Sequence, residues 1–223
     1  MKAELYIEII SYLKSIIANT EFENKTFCVG GCCRDMFLGN EIKDIDLVVN
    51  IPDGGIKLAE WLESQQLLDG HVVKFSSFGT SMFRLAKYPT IELEAVQTRN
   101  EEYVDRNSRN PSTKFGTIEE DCFRRDLTIN AIYYNISSEE YLDITGRSFD
   151  DLNNRIISTP TDPDVTYKDD PLRILRCIRF ACRYGWDIED KTFTGMKNNV
   201  ERLSIISSER ISSEFEKIIL LLL

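Results

Sequence analysis

Apolar residues recur at Leu5, Ile9, Leu13, Ile16 and Ile17, the three-and-four spacing of one helical face, and predict a packing helix over 3–18. The period then changes. Thr26 to Val29 reads as a short strand ending at Gly30-Gly31, Arg34 to Leu38 as a short helix closed by Gly39, and Asp44 to Val49 as a second strand. Ile56 to Leu68 returns to helical spacing, and strand-like runs follow at 71–75, 81–86 and 91–97, broken by Gly79 and Pro89. Residues 99–118 are charged, Asn-rich and Pro-containing and predict a loop. Residues 132–136 and 141–144 predict a hairpin through Ser137-Ser138. Strand patterning ends there: a short helix at 148–154, a turn at 159–163, and helices at 171–184, 190–200 and 207–222 complete the chain. These runs predict an α+β protein with a strand-bearing domain over 1–147 and an all-α domain over 148–223.

Successive side chains of a strand point to opposite faces, so Asp44 and Asp46 share a face, with Ile45 and Leu47 on the other. Two acids on one face can hold a divalent metal. A glycine pair between a strand and a helix lets backbone N–H groups approach an anion closely, although Gly30-Gly31 also reads as a plain turn. Glu92 and Glu94 alternate with Ile91, Leu93 and Ala95; they form either a source of a third carboxylate or the solvated face of an edge strand. Asp126 and Asn130, four apart beside Arg125, suit hydroxyl and phosphate binding or a helical salt bridge. The helix from Pro171 has Asp169 and Asp170 as cap candidates. Arg173, Arg176, Arg179 and Arg183 line one of its faces, while Leu175, Ile178 and Cys182, extended by Ile174 and Ala181, line another. The arginine stripe is a solvated face or, opposite a carboxylate site, a triphosphate clamp.

Composition narrows the chemistry. A chain of 223 residues with 42% hydrophobic content builds an ordinary globular core, and its net charge of −10 argues against a broadly basic nucleic-acid surface, so any such binding is local. The six cysteines lack paired C-x-x-C spacing and a nearby histidine, which disfavours zinc and points to small apolar residues without disulfide partners in a reducing compartment. His71, the sole histidine, opens a strand-like segment, so a histidine-based mechanism is not expected. The amino terminus lacks a secretory-type apolar segment and no apolar run is long enough to span a bilayer; a cytoplasmic protein is expected.

Six ordered motifs resemble the class II tRNA nucleotidyltransferase and bacterial poly(A) polymerase family, over roughly residues 26–218. Gly30-Gly31-Cys32-Cys33-Arg34-Asp35 with Leu38-Gly39 and Asp44-x-Asp46 is similar to the family's first motif. Arg99-x-Glu101-x-Tyr103 through Ser108-Arg109-x-Pro111, then Phe115 to Asp121, resembles the stretch after the third catalytic strand. Arg124-Arg125-Asp126-x-Thr128-Ile129-Asn130-Ala131 resembles the sugar-binding motif, and Asp143-x-x-Gly146 with Asp151-Leu152 the head-to-neck hinge. Asp170-Pro171-Leu172-Arg173 with Arg176 and Arg179-Phe180 resembles the base-reading helix, and Ser208-Glu209-Arg210-Ile211 the neck's last motif.

The resemblance implies a nucleotidyltransferase head, a mixed, mainly antiparallel sheet with flanking helices, followed by a helical neck. It implies that Asp44 and Asp46 coordinate two Mg²⁺ ions, with Glu94, five residues before Arg99, as the third acid. Gly30, Gly31, Arg34, Arg176 and Arg179 would hold the triphosphate, and Arg125, Asp126 and Asn130 would sit by the ribose. Asp170 and Arg173 would read the base: a carboxylate acceptor beside a guanidinium donor matches the amine and ring nitrogen shared by cytosine and adenine and opposes guanine and uracil. The implied activity is template-independent addition of C and A from CTP and ATP to the 3′ end of tRNA, releasing pyrophosphate. Poly(A) addition, A-only or C-only addition, or an inactive nucleotide-binding module are the alternatives. Asp169 stands where the family usually has Glu, Cys32-Cys33 replaces a small and β-branched pair, and no counterpart of the family's body and tail follows the neck, so the expectation is a fragment or a reduced RNA surface.

Overall fold

The structure, a computed structural model, describes residues 1–75, 79–102 and 111–221. In chain order the elements are α1 (Ala3–Ile17), β1 (Thr26–Val29), α2 (Gly31–Phe37), β2 (Ile45–Val49), α3 (Gly54–Ser64), β3 (Val73–Phe75), β4 (Thr80–Arg84), β5 (Glu92–Gln97), β6 (Arg99–Glu102), β7 (Ser112–Phe115), α4 (Ile118–Phe123), β8 (Ile132–Asn135) and β9 (Glu140–Asp143). There follow α5 (Ser148–Asn154), β10 (Ile156–Ile157), α6 (Pro163–Asp169), α7 (Leu172–Tyr184), β11 (Asp187–Ile188), α8 (Asp190–Asn199) and α9 (Ser208–Ile219). Two units separate by contact: one holds Met1–Asn100, Phe115–Asp121 and Ile132–Ile144, the other Glu101–Lys114, Cys122–Ala131 and Thr145–Leu223.

The first unit is built on a seven-stranded sheet in the order β3-β4-β5-β2-β1-β8-β9. Every pairing in it is antiparallel except β2 with β5, which is parallel. The strands are short, β-branched or aromatic runs, and β1 is buried along its whole length. In β2 and β5 the alternation is visible in burial: Ile45, Leu47, Leu93 and Ala95 are fully buried, while Asp46 is half-buried and Glu92 and Glu94 are exposed. The amphipathic α1 buries Tyr6, Ile9, Ile10, Leu13 and Ile17, so its core face turns slightly from the expected one, taking Tyr6 and Ile10 in place of Leu5 and Ile16. The parallel pair requires a crossover, and α3 packs on β2, β4 and β5 within it. Its first turn presses onto the sheet: a Cβ added at Gly55 would lie 2.2 Å from the Ala95 carbonyl oxygen and 2.6 Å from that of Gly79. The Ser81 hydroxyl donates to the Gly55 carbonyl at 2.7 Å and locks the contact.

In the second unit α7 packs against α9, and α6 against α8, with β10 and β11 forming a short parallel pair. Leu172, Leu175 and Ile206 form a small core with Ile178, Leu203, Ile205 and Ile211 around it. Because α7 has neighbours on several sides, Cys177 and Phe180 are also buried, whereas Cys182, expected on the apolar face, is exposed.

Two readings of the pattern are corrected. The stretch expected as a loop, 99–118, contains β6 and β7, which form a two-stranded sheet, and its segment 103–110, with Tyr103, Ser108 and Arg109 of the quoted motif, lies outside the described residues. Local polarity hid these strands because a two-stranded ribbon has little to bury. The turn at 159–163 opens an unexpected helix, α6, whose start carries a plain signal: Asp162 accepts from the Asp164 N–H at 2.9 Å and Pro163 occupies the first helical position.

Gly55→Ala tests the crossover. In an exposed helix this change stabilises by roughly 1 kcal/mol; here overpacking against Ala95 should instead destabilise by about 1–3 kcal/mol, read as a lower urea midpoint at unchanged slope. An unchanged or raised midpoint would contradict the close approach.

Candidate active site

The parallel register places Asp46 directly opposite Glu94 on neighbouring strands. Asp44 lies just before β2 and is exposed. Together with Ile45, Met82 and Glu92, these three acids line a cleft of about 180 Å³ on the sheet. Glu92 is placed differently from Glu94: its neighbour on β4 is Arg84, whose Nη2 lies 3.2 Å from the Glu92 Oε2. The edge-strand reading of the Glu92 and Glu94 face is corrected, since β5 lies between β4 and β2 and its carboxylates therefore project from the interior of the sheet.

Among the described residues, no three His, Cys, Asp or Glu side chains are gathered closely enough to hold a metal on their own. What the cleft offers is the carboxylates of Asp44, Asp46 and Glu94, a donor set that suits a hard divalent cation such as Mg²⁺. Mg²⁺ is a hard cation that keeps several waters and is held through one or two carboxylates plus substrate phosphates, not by an all-protein cage. The donor set in the cleft is carboxylate oxygen, which has the matching hardness.

Beside these strands the chain turns from β1 into α2 through Gly30, at φ 73° and ψ −125°, a conformation open to glycine and essentially closed to other residues. At Gly31, a Cβ would meet nothing nearer than the Arg34 Nη2 at 3.6 Å, so packing alone does not explain the missing side chain there. Arg34 is 3% exposed and pairs with Asp35 through two bonds, Nε to Oδ1 at 3.1 Å and Nη2 to Oδ2 at 2.8 Å. The pair fixes the guanidinium on α2. Cys28, Cys32 and Cys33 are buried, and the Cys32 Sγ donates to the Val29 carbonyl at 3.2 Å.

In the second unit, Asp126 and Asn130 come together through a 3-10 turn over Thr128–Asn130, not through one face of an α-helix. The Asn130 amide donates to the Asp126 Oδ1 at 3.1 Å, and the Arg125 Nη1 donates to the Asn130 carbonyl at 3.5 Å. Asp126 also receives the Arg176 guanidinium, with Nε at 2.8 Å and Nη2 at 2.7 Å from Oδ2. Burial alone would raise the Asp126 carboxyl; the Arg176 charge and the Asn130 bond override it and hold the group well below the usual carboxylate range. The turn itself is anchored from beneath by buried Asp151, which accepts from the hydroxyls of Thr128 and Ser158.

The arginine stripe of α7 is matched by acids from its own unit. Arg173 Nη2 lies 3.6 Å from the Glu101 Oε2, and Arg179 Nε lies 2.7 Å from the Glu214 Oε2. Arg179 also stacks over the Phe180 ring, at 4.6 Å from its centroid. Glu101 additionally accepts from Arg124 Nη1 at 2.9 Å, so one carboxylate ties the segment carrying Arg124 to the helix carrying Arg173. Glu101 belongs to the Arg99-x-Glu101-x-Tyr103 motif, but its pairing with Arg124 and Arg173 is non-local, so no spacing along the sequence marks those partners. Asp170, not Asp169, caps α7: its Oδ1 accepts from the Leu172 N–H at 3.1 Å. Asp169 is the last residue of α6, while Asp170 is extended, as capping geometry requires.

Two family models match the chain. Residues 26–158 match the model of the poly A polymerase head domain, and residues 185–221 that of a "probable RNA and SrmB-binding site of polymerase A". A tRNA nucleotidyltransferase of Schizosaccharomyces pombe is 39% identical over 205 residues, covering 85% of this chain and 40% of that protein. A solved CCA-adding enzyme superposes with a TM-score of 0.81 at 29% identity, covering 96% of this chain and 49% of its own. CCA-adding enzymes solved with tRNA (from Thermotoga maritima), with CTP and with ATP each give a TM-score of 0.77 at 28% identity, covering 96% of this chain and 46–47% of theirs. This chain thus spans less than half the length of these relatives. On the extent of the first match, and with the six ordered motifs, the chain belongs to the poly A polymerase head-domain family, the group of CCA-adding tRNA nucleotidyltransferases and poly(A) polymerases.

Proposed function

We propose that this chain carries the nucleotidyl-transfer and nucleotide-selecting parts of an enzyme that adds C and A, from CTP and ATP, to the 3′ end of tRNA. The observation that carries the reading is the register of Asp46 with Glu94, with Asp44 in the same cleft, in a chain whose solved relatives are CCA-adding enzymes with tRNA, CTP or ATP bound. Asp44 and Asp46 would hold Mg²⁺, with Glu94 as the third acid. When bound, the metal neutralises charge on the phosphates and lowers the pKa of the attacking hydroxyl. The head would take in 1–147 and the neck 148–223 along the chain, and the cysteine thiols suit a reducing, cytoplasmic compartment.

The remaining steps belong to the protein's own side chains. The Gly30-Gly31 backbone, open at the missing Gly31 Cβ, and Arg34, fixed by Asp35, would orient the triphosphate together with Arg176 and Arg179. Arg125, Asp126 and Asn130 would hold the ribose; the ionised state of Asp126 makes it an acceptor for a sugar hydroxyl. Asp170 and Arg173 would select the base. The cap bond fixes the Asp170 carboxylate at the start of α7, and the Glu101 carboxylate restrains Arg173 one turn on. A base with the wrong edge leaves both groups unpaired, at about 1–3 kcal/mol each.

Two outcomes follow. Asp46→Ala should lower turnover by about 10²–10³-fold or more, the scale of losing a charge-stabilising group, while the far-ultraviolet spectrum and unfolding midpoint stay near those of the parent; retained activity would remove Asp46 from the metal site. Incubating the protein with a tRNA lacking its CCA end and each nucleoside triphosphate singly should give incorporation of CTP and ATP and exclusion of GTP and UTP, and Asp170→Ala should reduce that exclusion by about tenfold to a hundredfold. Extended incorporation of ATP alone would instead identify a poly(A) polymerase.

A further inference from the structure

A second cavity, about 370 Å³, opens in the first unit away from the acid cleft, lined by residues of α1, α2 and the β8–β9 hairpin. None of its lining residues has a part in the proposed reaction. The volume is that of a small-molecule site. Its walls combine three phenol rings, Tyr6, Tyr134 and Tyr141, with the aliphatic side chains of Ile10 and Met36. The Tyr134 and Tyr141 rings are tilted against each other with centroids 4.9 Å apart. Glu139 is the one charged residue in the lining. It is held in the hairpin turn at φ 61°, a left-handed conformation uncommon for a non-glycine residue, and its N–H donates to the Asn135 carbonyl at 2.9 Å.

The chemistry of this lining is one-sided. Burial pushes all three phenols up, Tyr141 to about 12, so they line the cavity as neutral aromatic groups at physiological pH. The carboxylate of Glu139 already serves a cation: Lys14 Nζ lies 2.9 Å from its Oε2, and with side chains 39% and 55% exposed the pair is open to exchange with solvent ions. Aromatic faces around a carboxylate are the recognition chemistry of an organic cation, whose charge is matched by the quadrupoles and the acid while its body fills the apolar walls.

We propose that this cavity binds a small organic ammonium ion with an apolar body, its ammonium group at Glu139 and its body among Tyr6, Tyr134 and Tyr141. The test uses the full chain at neutral pH and two probes of one shape, benzylammonium and the uncharged benzyl alcohol, followed through the methyl resonances of Met36 and Ile10. Benzylammonium should shift these signals saturably and bind at least about tenfold more tightly than the alcohol. Glu139→Gln, at an exposed turn, should erase that difference while leaving alcohol binding unchanged, and Ser11→Trp, at an exposed α1 position on the cavity wall, should block both probes. Equal binding of the two probes, benzylammonium affinity unaltered by Glu139→Gln, or no shift at Met36 and Ile10 would each overturn the proposal. Nucleotide incorporation measured on the same samples reports on the transfer reaction separately.

Discussion

The parallel pairing of β2 with β5 is the constraint on which the rest of the first unit depends. Five register pairs run from Ile45 with Leu93 to Val49 with Gln97, and sliding one strand by a single residue would turn Asp46 or Glu94 into the space now filled by buried Leu47 and Ala95. Burying an unpaired carboxylate is so unfavourable that this alternative is closed. The same hydrophobic effect that assembles the core therefore brings the acids together on the opposite face. The crossover that makes the pair parallel also explains why α3 must begin with a residue lacking a side chain where it meets Ala95 and Gly79.

The second unit solves a different problem, that of holding several guanidinium groups on one helix. Each of Arg173, Arg176 and Arg179 faces an acid brought from a distant part of the chain: Glu101, Asp126 and Glu214. Largely desolvated pairs of this kind contribute little net stability, because desolvation offsets the attraction, but they orient both partners. Under the proposed function α7 meets phosphates and base edges, and orientation fixed before the ligand arrives is then the useful property, since little reorganisation is needed on binding. Asp126 shows the balance: burial works against its charge, and Arg176 with Asn130 more than restores it.

Some of this is legible in local pattern and some is not. The alternation in 44–49 and 91–97 gives both acid-bearing strands and the face each carboxylate occupies, and the three-and-four spacing from Leu172 gives α7 and its arginines. Where local signals compete, the reading shifts: the polar β6–β7 ribbon looks like loop, the Asp162-Pro163 start of α6 looks like a turn, and Asp169 looks as good a cap as Asp170 until α6 is seen to end on it. Asp126 and Asn130 are four apart for a helix, yet a 3-10 turn over buried Asp151 is what joins them.

Sequence alone determined which residues are the candidates for the chemistry, because side-chain type and strand or helix period are local properties, and the ordered motifs pointed to the family. Tertiary structure decided which of them meet. That Glu94 and not Glu92 stands beside Asp46 is set by the register of β2 with β5, and that Glu101 restrains Arg173 follows from a contact 72 positions apart in the chain, the difference between those residue numbers. The Tyr6, Tyr134, Tyr141 and Glu139 cavity likewise gathers residues from opposite ends of the first unit's sequence. Pairings of this kind have no periodic signature, since they are set by how the buried faces of separate elements pack and not by the spacing of residues along any one of them.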